Sequence, residues 1–309
     1  MIKNEVHPFV SIAIVTYNQE LYIGECIESC LAQKYPNFEI IIADDFSNDA
    51  TREILIKYQE VYPDIIKLML ADSNKGLTPN CNLAWANCRG DWIKTIAGDD
   101  KLTDSCLTEY VSNLLSGRNF ADVYFANMIT FSSARTEQTE RKMDASFFDL
   151  TQDEKILYLY KKNPFFAPTS FIKRSSMIEA GYADERFPML EDHPLWLKFA
   201  RLGYKFGYVD KYTVLYRHGN TLSQNLDRIG NLAHIESYFS FQRTEIWPHL
   251  GHSMVFKKVD DLALYTQRKF GIFLFKNKAG ILYKLLKIIF LPLRAYSIFV
   301  KLYGLRQFK

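Results

Sequence analysis

The chain has 309 residues, 48% of them hydrophobic, and a formal net charge of +3. That length suits one large α/β domain with an appendage, or two modest domains, and the apolar content supplies a sizeable core. No run of about 18 uncharged apolar residues occurs, which argues against a spanning helix, and the apolar opening FVSIAIV lacks a cleavage site for a secretory signal.

In chain order, FVSIAIVT (9–16) reads as a buried strand. Residues 20–33 read as a helix with Leu21, Ile23, Ile27 and Leu31 among its apolar positions. FEIIIA (38–43) is a second strand, Asp49 is placed to cap a helix over 50–60, and IIKLML (65–70) is a third strand. Residues 78–88 look helical, and DWIKTIA (91–97) is a fourth strand. A helix over about 103–116 and a strand near 121–131 follow. Residues 131–150 are polar and weakly periodic, which predicts a mobile excursion. Residues 151–162 look helical, and 164–187 mix turns, a short strand and a short helix. LEDHPLWLKFARLGY (190–204) reads as a helix with Glu191 and Asp192 in its first turn, and 207–218 as one or two strands. Strand–helix alternation at this spacing predicts an α/β fold of Rossmann-like type, with a mainly parallel sheet and helices on both faces. The five cysteines have no CxxC or Cys/His zinc spacing and read as buried, reduced thiols.

In such sheets ligands bind beyond the carboxyl ends of the strands. Four polar clusters fall there: Thr16-Tyr17-Asn18, Asp44-Asp45, Asn74 with Gly76, and Asp99-Asp100. Each alone could be loop polarity, and in the first turn of a helix Glu191 and Asp192 could simply answer the helix dipole. GxGxxG, GxxxxGK[ST] and GxSxG are absent, so neither a dinucleotide site, a P-loop nor a nucleophile elbow is supported. Adjacent aspartates at a strand end are costly unless a cation or hydrogen bonds offset them. Mg²⁺ or Mn²⁺ held by one or two carboxylates, with a diphosphate completing the coordination, would do so.

Three blocks in order, ADDFSNDAT (43–51), NKG (74–76) and GDD (98–100), followed by EDHPLWLKF (191–199), carry a resemblance. Over roughly residues 9–220 the chain resembles the family 2 glycosyltransferases, nucleotide-sugar-dependent inverting enzymes of the GT-A fold. The resemblance implies that Thr16 and Tyr17 line the base pocket and that Asp45 hydrogen-bonds the nucleobase, with Asp44 supporting it or the ribose. Asn82 joins the donor site. Asp99 and Asp100 match the metal and diphosphate motif, Asp100 as metal ligand and Asp99 toward the ribose or sugar. Asp192 matches the catalytic base, with Glu191 orienting it or touching the acceptor. His218 stands where some relatives place a late metal or diphosphate ligand; a hydrogen-bonded structural histidine is the other reading. Cys81 departs from the pattern, since many relatives carry arginine there; Arg217 or Lys75 are the cations that could compensate. The 131–150 segment and PFFAPTSF (164–171) are candidates for closing over the donor and shaping the acceptor site.

The implied domains are a catalytic domain over 1–225, with a nucleotide-sugar part to about 130 and an acceptor part to about 225, and a helical, basic region over 226–309. The implied reaction moves a sugar from a UDP-sugar to a glycan or lipid-linked glycan in bacterial surface polysaccharide assembly, O-antigen or capsule, with Mn²⁺ or Mg²⁺ as cofactor. Two alternatives are a sugar-phosphate nucleotidyltransferase, whose Gly-rich, Arg-containing loop is missing after strand one, and a non-catalytic binding protein of the same fold. From Leu262 onward there are ten basic and no acidic residues. In 280–304, Lys284, Lys287, Arg294 and Lys301 share a sector of roughly 100° on a helix. That pattern predicts a helix pair, kinked by Pro292, on an anionic membrane surface; a hairpin packed on the catalytic domain is the competing reading. The expectation is therefore a cytoplasmic protein, peripheral at the membrane, with no nucleic-acid partner.

Overall fold

The structure, a computed structural model, describes residues 7–117, 120–132, 135–218, 228–251 and 255–303. Two compact units are present: Met1–Glu185 with Glu191–His218, and Arg186–Leu190 with Gly219–Lys309.

In the first unit β1 (Val10–Thr16) is buried along its whole length. That suits a central parallel strand covered on both faces and explains its unbroken apolar run. α1 (Ile23–Leu31) follows and buries Ile23, Cys26, Ile27 and Cys30, one face at helical spacing. Then come β2 (Phe38–Asp44), α2 (Thr51–Val61), β3 (Ile66–Leu70), α3 (Leu77–Asn87) and β4 (Trp92–Ala97). β1 pairs in parallel with β2 and β4, and β2 with β3. All four strands therefore point their carboxyl ends at one rim. Asp49 acts one position earlier than a cap: Ala50 is the N-cap residue of α2, and Asp49 accepts from the Thr51 N–H at 3.0 Å.

The remaining elements are β5 (Lys101–Leu102), α4 (Cys106–Leu115), β6 (Val123–Ser132), β7 (Arg135–Arg141), α5 (Gln152–Lys161), β8 (Phe171–Lys173), α6 (Arg174–Glu179), α7 (Asp192–Arg201) and β9 (Phe206–Arg217). Among the described residues nine strands make one sheet, in the order β3-β2-β1-β4-β8-β6-β9-β5, with β7 beside β6. Its second half is mixed: β8 runs antiparallel to β4 and β6, while β9 runs parallel to β6.

Two expectations change here. Of residues 131–150, those described on either side of 133–134 are paired strands and a short turn rather than an excursion. β6 continues to Ser132 and pairs antiparallel with β7, and a short 3₁₀ turn follows over Ala145–Asp149. Residues 138–141 are exposed at the edge of the sheet, so backbone pairing holds β7 and no apolar period was needed to mark it. PFFAPTSF is likewise part of the interior. Phe165 stacks on Phe125 at 4.0 Å and on Phe206 at 5.5 Å, and Trp196 of α7 meets Phe125 edge-on at 4.9 Å. This aromatic layer fixes α7, and with it the positions of Glu191 and Asp192.

The second unit holds α8 (Leu232–Phe241), α9 (Val255–Leu274) and α10 (Ile281–Tyr303). Asn231 caps α8 by accepting from the His234 N–H. Pro292 lies inside α10. No helix among the described residues is long and apolar enough to cross a membrane. All five cysteines are free and buried.

Candidate active site

The paired aspartates follow β4 directly. Gly98 gives the chain room before them: a Cβ there would push against the Gln19 side chain and lie 2.8 Å from Ile23 Cδ1. Asp100 is buried. Its Oδ1 accepts from the Arg217 N–H at 2.8 Å, while its Oδ2 is buried with no hydrogen-bond partner. Burial pushes the Asp100 carboxyl well above the usual carboxylate range, and the neighbouring Asp99 adds to it. Burial raises Asp99 as well. Among the described residues no three His, Cys, Asp or Glu side chains gather into a ready-made metal site. A pair of carboxylates with one unpartnered oxygen is the donor set that a phosphate-bound divalent cation uses.

Arg217, at the end of β9, braces this turn. Its Nε donates to the Asp99 carbonyl at 2.8 Å, and its guanidinium pairs with Glu25 at 3.1 Å. Its guanidinium carbon also lies 4.4 Å from the centre of the Tyr22 ring and 4.5 Å from that of Phe131. These contacts leave the side chain almost wholly covered, so Arg217 positions the aspartates. Lys75 is exposed, and its N–H donates to Asp45. Lys94 is the residue the sequence reading passed over. It is wholly buried, and its ammonium donates to the carbonyls of Thr95 and Pro168. Burial lowers its pKa, while Asp100 and nearby thiols act the other way. A lone lysine inside the apolar run WIKTIA was the available signal.

At the end of β2 the two acids divide their tasks. Asp44 is fully buried and pairs with Arg52 at 2.5 Å, and it also accepts from the Ser47 N–H and hydroxyl. It is a brace for the loop. Asp45 accepts from the Lys75 and Gly76 N–H groups at 2.8 and 2.9 Å, and Asn74 donates to its carbonyl. Gly76 has φ 97°, which a side chain would disfavour, so the NKG block is a turn wrapped around Asp45. Burial raises the Asp45 pKa against those two hydrogen bonds. Thr16 is buried with its hydroxyl unpartnered, and Tyr17 is half-buried next to it. Asn80 ties this rim together by donating to the carbonyls of Thr16 and Ala43.

Asp192 opens α7. Its Oδ2 accepts from Asn163 Nδ2 at 2.7 Å, and its Oδ1 from the His193 N–H at 2.6 Å. Asn163 carried no sequence signal. Burial pushes Glu191 up to about 8, with the Asp192 charge adding to it. The Cys81 thiol is raised first by burial and then by the negative charges of Glu191, Asp192 and Asp45. Cys81 thus lies within electrostatic reach of the acids of β2 and of α7. His193 is buried with Nε2 against the Leu159 carbonyl, a structural histidine. His218 has an exposed side chain, and its N–H donates to the Phe131 carbonyl at 2.7 Å, one residue beyond Arg217. Asn82 is engaged elsewhere. Its amide donates to the Ala183 carbonyl and Glu185 and accepts from the Ala183 N–H, so it ties α3 to the 183–185 loop.

Comparison with known proteins adds independent findings. The family model described as glycosyl transferase family 2 matches residues 11–181. The putative glycosyltransferase EpsE of Bacillus subtilis is 32% identical over 203 residues, 65% of this chain and 69% of EpsE. The minor teichoic acid biosynthesis protein GgaA of Bacillus subtilis is 26% identical over 224 residues, covering 71% of this chain and about half of its own length, 49%. Among solved structures, S. aureus TarS 1–349 in complex with UDP-GlcNAc superposes with a TM-score of 0.57 at 21% identity, over 92% of this chain and 79% of that one. The same TarS fragment with UDP gives 0.54. At that identity the likeness speaks for the fold alone.

Proposed function

The chain belongs to glycosyl transferase family 2, and from that membership we propose an inverting, metal-assisted transfer of a sugar from a UDP-sugar to a hydroxyl of a glycan or lipid-linked glycan. The acceptor would be a growing bacterial surface polysaccharide, such as O-antigen or capsule, at the cytoplasmic face of the membrane. The observation that carries the reading is the buried, unpartnered Asp100 Oδ2 at the sheet rim. The donor assignment draws on the TarS structures, which hold UDP and UDP-GlcNAc, and the acceptor class on a relative named for teichoic acid biosynthesis.

Thr16, Tyr17 and Asp45 would receive the nucleotide, with Tyr17 stacking on the base and Asp44 bracing the Asp45 loop. Asp99 and Asp100, with His218 as a further candidate, would hold Mn²⁺ or Mg²⁺. Such a cation supplies Lewis-acid stabilisation of the departing diphosphate. Asp192 is the base. Asn163 fixes one of its oxygens, and the carboxylate takes the proton of the acceptor hydroxyl. The acceptor oxygen forms its bond to the anomeric carbon from the face opposite the nucleotide. The bond to the diphosphate breaks, and UDP leaves with the electron pair. A positioned base of this kind is worth on the order of 10²–10⁴-fold in rate. Glu191 keeps its proton near neutral pH, so it can donate a hydrogen bond to the acceptor or to Asp192 without competing for the transferred proton.

The test is Asp192→Asn. UDP binding, read as a manganese-dependent rise in melting temperature, should persist while sugar transfer is lost. Retained turnover would remove Asp192 from the mechanism.

A further inference from the structure

Beyond Asp261 every charged residue is basic, and the structure shows how the helices of this tail are turned. α9 and α10 pack together. Tyr283 is buried against Gly271, where a Cβ would come 2.6 Å from its ring, and its hydroxyl accepts from Gln267 Nε2 at 3.4 Å. About three turns further along, Arg294 donates to Asp260 at 3.4 Å. Tyr283 and Arg294 thus mark the side of α10 that meets α9. The cationic sector expected to face a membrane is therefore turned largely toward α9. Side chains at Lys301, Arg306 and Lys309 lie outside the described residues.

Over 281–291 the opposite side of α10 is apolar and exposed. Ile281, Leu285 and Ile288 recur at helical spacing, continued by Leu282 and Ile289. Ile281 is 75% exposed, Ile289 71% and Leu282 63%. Phe273, at the end of α9, is 83% exposed. The turn between the helices is tied down. Asn277 Oδ1 accepts from the Ile229 and Gly230 N–H groups at 3.1 and 3.2 Å, and the backbones of Arg228 and Lys278 pair antiparallel. Lys276 and Lys278 stand exposed on that turn, and Lys284 along the flank of α10.

An apolar face of this extent marks a contact surface. Charge selects the partner. A second copy would set the same lysines against one another, whereas an anionic bilayer takes apolar side chains below its headgroups and attracts the lysines around them. We propose that the α9–α10 pair lies in the plane of an anionic membrane surface, with the Ile281–Ile289 face among the acyl chains and Lys276, Lys278 and Lys284 at headgroup level. The proposal extends the lipid-linked acceptor reading to a defined surface, yet it requires no transfer chemistry.

The test is flotation of the full chain with vesicles of phosphatidylcholine and phosphatidylglycerol, against phosphatidylcholine alone. The chain should float with the anionic vesicles and less so as salt rises. Combined Ile281→Ser, Leu285→Ser and Ile289→Ser should lower partitioning by at least about tenfold. Combined Lys276→Glu, Lys278→Glu and Lys284→Glu should lower it by about a hundredfold or more, at about fivefold per lysine lost. These side chains are exposed, so circular dichroism and the UDP-dependent melting shift should be unchanged in both variants, which separates failure of docking from failure of the donor reading. Absence of flotation by the folded wild-type chain overturns the proposal, as does undiminished flotation of the serine variant. A wild-type dimer in sedimentation that the serine variant dissolves assigns the face to a second copy and also overturns it.

Discussion

Replacing Glu191 by Gln isolates the electrostatic cost built into the head of α7. Burial beside Asp192 moves the Glu191 carboxyl from an ordinary 4.5 to about 8. Between those two pH values the folded chain keeps this proton while the unfolded chain releases it. Stability therefore falls as pH rises through the window, by up to about 1.4 kcal/mol per pH unit. The full difference between 4.5 and about 8 corresponds to about 5 kcal/mol, and to about 3–5 kcal/mol once the partial exposure of Glu191 is allowed for. Glutamine has nearly the same shape and no proton to lose. Glu191→Gln should match wild type at pH 4.5, gain stability steadily above it, and level off above about pH 8. Asp99 and Asp100 slope the same way, but they are common to both proteins and cancel in the difference. Urea unfolding at a series of pH values reads the quantity directly. A difference that stays flat between pH 5 and 8 would refute the assignment. Asp192→Asn in the same series should narrow the pH window over which stability falls, because the Asp192 charge is the second cause of the shift.

Three further outcomes follow from the rim. Asp100→Asn removes one of two crowded acids, so the protein should be more stable than wild type in EDTA at pH 8 and should lose its manganese-dependent affinity for UDP; a less stable variant would contradict the account of the pair. Arg217→Ala deletes the hydrogen bond to the Asp99 carbonyl, the ion pair with Glu25 and the contacts with the Tyr22 and Phe131 rings, and should cost about 2–4 kcal/mol in chemical denaturation; a loss below about 0.5 kcal/mol would show that the brace is unimportant. Gly98→Ala forces Gln19 and Ile23 aside next to the aspartates, so UDP affinity should fall more than stability does, checked by calorimetry alongside thermal melting.

The parallel half of the sheet was legible because its signals are local. Buried strands such as VSIAIVT, glycines at turns and helical apolar spacing each act within a few residues. The rim acids followed, since the end of a strand in such a fold is a place as well as a sequence position. Legibility failed at β7, whose partner is backbone, and at Phe165, whose neighbours Phe125 and Phe206 come from distant segments. The difference for Asn82 has the same origin: an amide can serve a ligand or a loop, and only the nearness of Ala183 and Glu185 decided it.

By itself, then, the sequence determined which residue types stand at the carboxyl ends of the strands, and through them the family and its chemistry. Tertiary structure alone decided how those residues are held: Arg217 on the aspartates from 118 positions away, Asn163 on Asp192, and α10 with its apolar face outward. The reason is physical. Periodicity and turn chemistry act over one or two turns of chain, whereas charge pairing, burial and the direction a helix faces depend on what packing brings near, and that distance in space has no counterpart along the chain.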